Sequence, residues 1–225
     1  MNINWKNDNI RFVSFLDIMG FRNMVNINTH DYVKNKMQII SDVTKHIIDI
    51  VEKIKNAELN FEKYKNCDLK VIQFSDSIVL FTNEDTPNDF EFITFAVKQI
   101  LVSAFKNSIP IKGAMSHGLM TADFDNSIFF GKPLIDAFLL QEEINYYGFI
   151  LDNNAEKYWK NNFSADKNFY KLAKTPLKKG NVNHLNLKLN KEVKIPEFES
   201  LYESVSGAVR IYVDNTIDMY KKIDK

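Results

Sequence analysis

Two apolar runs in this chain each carry an aspartate where a strand gives way to a turn. Residues 10–17, IRFVSFLD, are β-rich and end on Asp17. Residues 69–82, LKVIQFSDSIVLFT, break at Phe74-Ser75-Asp76-Ser77 and read as a hairpin with Asp76 at its tip. If that hairpin pairs beside the first strand, both carboxylates face one point. Converging carboxylates repel strongly at low dielectric, and a divalent cation removes that repulsion. Hard oxygen ligands without nitrogen suit magnesium or manganese. The backbone carbonyl of Ile18 offers a further oxygen. The N–H groups of Met19, Gly20 and Phe21, on a tight turn, suit a phosphate, and Gly20 lets that backbone approach closely. Either aspartate taken alone also fits an ordinary turn or cap residue.

The rest of the chain has the order of an α+β domain. Val33, Met37, Ile40, Val43, Ile47, Ile50 and Ile54 make one apolar stripe, predicting a helix over 31–56 capped by Asn28, Thr29 or Asp31. Residues 88–106 are apolar nearly all round and predict a buried helix. Strands are expected at 109–119, 127–130 and 148–151, with Asp125-Asn126 as a turn. Gly131-Lys132-Pro133 opens a helix to about Tyr146. Residues 152–200 are polar and Lys- and Asn-rich and carry no motif. A last helix is expected over about 199–223, with Leu201, Val205, Ala208, Val209, Tyr212 and Met219 near one face. The expected fold is an antiparallel-rich sheet covered by helices. It forms a single domain over 1–225, with a core at about 10–151 and a C-terminal extension.

Composition excludes several function classes. Lys plus Arg is 29 and Asp plus Glu is 29, which argues against a nucleic-acid binder held by phosphate neutralisation. The single Cys67 excludes an internal disulfide and a Cys-rich zinc site, and no adjacent base makes it a nucleophile. His30, His46, His117 and His184 lack metal-site spacing. No run approaches 18 apolar residues, so no membrane span is expected. MNINWKNDN lacks the apolar core of a signal peptide, so a cytosolic location is the expectation.

Four blocks, in order over about residues 12–150, resemble a known family. FVSFLDIMGFRNMV resembles the opening strand of class III nucleotidyl cyclases. QFSDSIVLF is similar to their second metal-binding hairpin. IPIKGAMSHGLM and IFFGKPLIDAFLLQEE resemble their later strand and the helix that follows. Leu16-Asp17-Ile18, Ser75-Asp76-Ser77-Ile78, Lys112-Gly113-Ala114 and Phe130-Gly131 resemble most the small bacterial pyrimidine cyclases of Pycsar antiphage defence. Lys112 stands where that subfamily has Arg, keeping the charge without the planar fork. Gln141 or Glu142 falls at its Glu.

The resemblance implies a class III cyclase-like fold, a ferredoxin-like palm. It implies two Mn2+ or Mg2+ ions per site, held by Asp17, Asp76 and the Ile18 carbonyl. It implies a cytosolic C2 homodimer with sites at the interface, making cyclic UMP or cyclic CMP for a separate effector during phage infection. Base-reading positions fall at Ile72 and Ile128, near Phe74. Neither aliphatic side chain can pair with a purine edge. The family's transition-state Asn and Arg fall at Ile135 and Leu139, so that machinery is missing or rebuilt. Lys112, Arg22 or Lys132 are the candidate phosphate cations, and Asp136 a candidate ribose contact. A catalytically silent cyclase-fold module and a purine cyclase with an unusual pocket remain alternatives.

Overall fold

The computed structural model describes residues 4–163 and 169–224. The first strand, β1 (Asp8–Ile18), runs on into a short helix, α1 (Phe21–Ile27), and then a long one, α2 (His30–Lys55). Thr29 caps α2, its hydroxyl accepting from the Tyr32 N–H. The hairpin follows as β2 (Leu69–Phe74) and β3 (Ser77–Thr82). Next comes α3 (Pro87–Lys106), started by a Thr86/Asp89 capping box. Strands β4 (Ile111–Asp123) and β5 (Ile128–Gly131) lead into α4 (Lys132–Glu143). Then come β6 (Phe149–Leu151), α5 (Asn153–Asn162), β7 (Tyr170–Leu177) and β8 (Gly180–Leu187). A short helix α6 (Ile195–Glu199) and two 3-10 turns precede the final α7 (Ile211–Ile223).

Eight strands among the described residues form one sheet in the order β2-β3-β1-β4-β6-β8-β7, with β5 paired to β4. Only the β4–β6 pair is parallel. The expected α+β fold with an antiparallel-rich sheet is therefore the one observed. β1 lies inside the sheet, antiparallel to β3 and β4, and carries apolar residues on both faces. One face carries Phe12, Leu16 and Ile18 into the main core with α2 and α3. The other carries Val13 beside Phe81, Met120 and Ala122, with Trp5, Ile72 and Phe129 packed around them. This second face is crossed by α4, where Phe138 meets Phe15 edge-on at 5.3 Å.

Two expectations for the C-terminal third change. Residues 170–187 form a hairpin that the sequence did not announce, turning at Gly180 with φ +123°. The continuous helix expected from 199 is broken at Val205 and Ser206, which are extended, and at Gly207, whose φ of +62° is left-handed. A regular helix starts only at Ile211. From there Val213, Ile217, Met219, Tyr220 and Ile223 bury against the domain itself. No helix among the described residues is long and apolar enough to cross a membrane.

Candidate active site

The register puts the two aspartates together. Asp17 is opposite Ser77 on β3, one residue after the hairpin tip. The Ile18 N–H donates to the Asp76 carbonyl at 3.0 Å, and the Met19 N–H to the Pro110 carbonyl at 2.8 Å. The hairpin closes through the two residues Ser75 and Asp76, with Ser75 at φ +55°. The Ser77 hydroxyl stands 3.5 Å from Asp17 Oδ1. Burial, then the charge of Asp76 and of Glu142, push the Asp17 carboxyl up to about 6. The two carboxylates therefore share one field, as their separate positions in the chain required.

The donor set suits a hard divalent cation: two carboxylates close enough that the charge of Asp76 acts on Asp17, with the Ile18 backbone beside them. Among the described residues no group of three or more His, Cys, Asp or Glu side chains is arranged to hold a metal.

Beyond Ile18 the chain turns on Gly20, whose φ of +72° is left-handed. An added Cβ there would meet nothing within 4 Å, so the requirement is conformational. Gly20 is the N-cap of α1 and makes no side-chain cap bond, and the first turn of α1 has no acidic residue. The N–H groups of Phe21, Arg22 and Asn23 precede the first intrahelical bond, from the Met24 N–H to the Gly20 carbonyl. Arg22 is exposed, and Met19 packs against the core.

Lys112 occupies the strand position facing Asp17 on β4. Gly113 makes this approach possible, since a Cβ there would lie 2.5 Å from the Phe15 carbonyl oxygen. The Lys112 side chain is only 1% exposed. Its ammonium donates to the carbonyls of Ile144 at 3.0 Å and Glu142 at 3.3 Å, at the C-terminal end of α4. Burial, then the charge of Lys178, lower it to about 8. It reaches Asp17 through its field and is engaged by the end of α4.

Sequence reasoning missed Lys178. Read as a solvated turn, the β7–β8 turn in fact docks on the end of α4. The Lys178 N–H donates to the Glu143 carbonyl at 2.8 Å, and its ammonium lies 3.5 Å from Glu142. Nothing local in the sequence marks this, because it depends on pairing across the far side of the sheet. Lys132 is tied to Asp136 at 2.6 Å on the exposed side of α4. Cys67 is buried, and burial and the charge of Asp89 raise its thiol, as for an inert residue.

The proposed base readers separate. Ile72 pairs with Val79, on the same face as Asp17, and packs against the same small apolar cluster as Phe129. Ile128 pairs with Asp123, and strand alternation turns it to the other face. Phe74, beside Asp76, is 81% exposed on the Asp17 face. On α4, Ile135, Phe138 and Leu139 are 57%, 43% and 55% exposed. Clefts of about 520 and 580 Å3 elsewhere contain neither aspartate.

The chain is similar to several solved cyclase structures. A bacterial light-regulated adenylyl cyclase superposes with a TM-score of 0.55 at 9% identity, covering 89% of this chain and 100% of that one. The catalytic core of a rhodopsin-guanylyl cyclase with converted specificity, in complex with ATPalphaS, gives 0.53 at 14% identity, covering 82% and 98%. The guanylate cyclase domain of RhGC from Catenaria anguillulae, in complex with GTP, gives 0.51 at 14% identity, covering 81% and 98%. The fold is that of a class III cyclase domain. No family model and no curated protein sequence matches the chain.

Proposed function

We propose that this chain is a nucleotidyl cyclase acting on a pyrimidine nucleoside triphosphate, UTP or CTP. The products are the 3′,5′-cyclic monophosphate and pyrophosphate. The observation that carries this reading is the convergence of Asp17 and Asp76 beside the open first turn of α1. Asp17, Asp76 and the Ile18 carbonyl would hold two Mn2+ or Mg2+ ions. Bound there, such ions neutralise the triphosphate and acidify the ribose 3′-hydroxyl.

The chain's own groups do the rest. The N–H groups after Gly20 receive phosphate oxygens, and Arg22 adds an exposed cation. Lys112 and Lys178 offset the negative end of α4 and the Glu142 carboxylate, so that a triphosphate is not repelled. The 3′-oxygen attacks the α-phosphorus, its proton passing to solvent. The bond from that phosphorus to the bridging oxygen breaks, and pyrophosphate departs. The apolar setting of Ile72 and Phe129 lacks the polar partners with which a purine edge would be read, and the resemblance to the pyrimidine cyclases supplies the choice of base.

A homodimer is part of this reading. The face bearing Asp17 is open beside Phe74, and the outer side of α4 is apolar at Ile135, Phe138 and Leu139. Packing a second copy there buries that surface and brings one copy's Ile72 and Phe129 toward the other's aspartates. The resemblance to the Pycsar cyclases extends the reading to a product that activates a separate effector during phage infection.

The test is incubation of purified protein with each of the four NTPs and Mn2+, with products identified by mass spectrometry. Cyclic UMP or cyclic CMP is the expected product. Cyclic AMP or cyclic GMP would replace the pyrimidine reading. The absence of any cyclic product, with nucleotide still bound, would favour the silent module suggested by Ile135 and Leu139.

A further inference from the structure

The C-terminal helix meets the back of the site just described. The Lys112 ammonium lies 5.5 Å from the centre of the Tyr212 ring, on the first turn of α7. Tyr212 is stacked on Tyr147 at 5.6 Å with the planes 27° apart. Two hydrogen bonds fix α7 to the same stretch of chain. The Tyr147 N–H donates to the Thr216 hydroxyl at 2.8 Å, and the Asn215 side chain donates to the Asn145 carbonyl at 2.7 Å. That stretch directly follows the Glu142 and Ile144 carbonyls that Lys112 holds. Lys112 meets the ring of Tyr212 rather than its hydroxyl, to which no hydrogen bond is made among the described residues.

The charges explain why this contact matters. The end of α4 presents carbonyl dipoles and Glu142 toward a site that already carries Asp17 and Asp76. A triphosphate approaching there needs a fixed positive charge behind Asp17. Lys112 supplies it from a buried position, and a flexible four-carbon stem needs a partner to hold it. An aromatic face attracts an ammonium without neutralising it, as a carboxylate would.

We propose that Tyr212 is a positioning residue for Lys112, so that α7 is part of the nucleotide site rather than only a cover for the core. This rests on the cyclase reading above.

The test is a double-mutant cycle on Tyr212→Leu and Lys112→Met, read as KM and kcat for the preferred NTP and as the Kd of that NTP with Mn2+. Melting temperature and oligomeric state are recorded for each variant. Tyr212→Leu is expected to raise KM and Kd roughly fivefold with kcat within about twofold. Tyr212→Phe keeps the ring and restores wild-type values. Adding Tyr212→Leu to Lys112→Met changes KM and Kd no further, because the two act through one group. Additive effects, or a lower melting temperature with unchanged KM and Kd, would overturn the proposal and leave the cyclase reading standing. A wild-type protein that neither binds nor cyclises any NTP would overturn both.

Discussion

The Ile18 N–H bonds to the Asp76 carbonyl at 3.0 Å, and this one contact ties the end of β1 to the tip of the neighbouring hairpin. It fixes the backbone of both aspartates without using either carboxylate. The two side chains are therefore held in place by the backbone alone. Asp17→Asn and Asp76→Asn should leave the fold intact and lower turnover by more than about a hundredfold. Mn2+ titration followed by calorimetry should show weakened binding in both. Near-normal turnover in either variant would reject two-metal catalysis.

Asp17 also makes a prediction about pH. Its folded carboxyl titrates near 6, above its ordinary 3.8, because of burial and the facing Asp76. The folded state therefore binds the proton more tightly than the unfolded state. The resulting stabilisation is complete below about pH 4 and is lost as pH rises through 6. Metal-free wild type should match Asp17→Asn in stability at the acid end and fall behind it by pH 7.5. The gap is about 1 kcal/mol once solvent screening is allowed for. Denaturant melts across this range measure it, and added Mn2+ should close the gap for wild type alone. A gap that does not change with pH would contradict the shared field of the two carboxylates.

Gly20 separates conformation from crowding. Its surroundings are empty, yet its φ is +72°. Gly20→Ala should therefore cost about 1 kcal/mol from left-handed strain alone, a loss of about 2–4 °C in melting temperature. The N–H groups that follow should shift with it, raising KM for NTP more than it lowers kcat. An unchanged KM would remove the first turn of α1 from the phosphate site.

The outer side of α4 tests the dimer. Ile135, Phe138 and Leu139 fall on one side of the helix by their spacing. Leu139→Glu should shift the protein toward monomer in sedimentation and lower activity in step with dissociation. Mixing Asp17→Asn with Ile72→Lys protein should restore part of the activity, because one interfacial site would then be intact. A fully active monomeric Leu139→Glu protein would show that a single chain completes the site.

Local pattern explains what the sequence could and could not convey. Asp17 and Asp76 were legible because each sits at the end of a short apolar run with its turn beside it. α2 and α3 were legible from their helical periodicity. The β7–β8 hairpin was not, because the start of β8 is exposed and burial covers only Leu185, Asn186 and Leu187 at its end. Lys178 and Tyr212 were invisible for the same reason: each reaches the end of α4 through long-range packing. The break in the last helix lies at Val205 and Ser206, which are extended, and at Gly207 with its left-handed φ, and no residue type there announces it.

Strand alternation yields the last prediction. Counting along the chain places a base reader at Ile128, but register decides which way a side chain faces. Phe129 pairs with Ala122 and shares an apolar cluster with Ile72, whereas Ile128 pairs with Asp123 on the opposite face. A one-residue shift exchanges the two faces, so sequence spacing alone cannot choose between them. Ile128→Ala should leave the ranking of the four NTPs as it is. Phe129→Ala and Ile72→Ala should each lower kcat/KM for the preferred NTP about tenfold and flatten the ranking. The ranking is the useful readout, because a loss of stability lowers all four rates together. A ranking altered by Ile128→Ala but not by Phe129→Ala would mean that the base is read from the other side of the sheet.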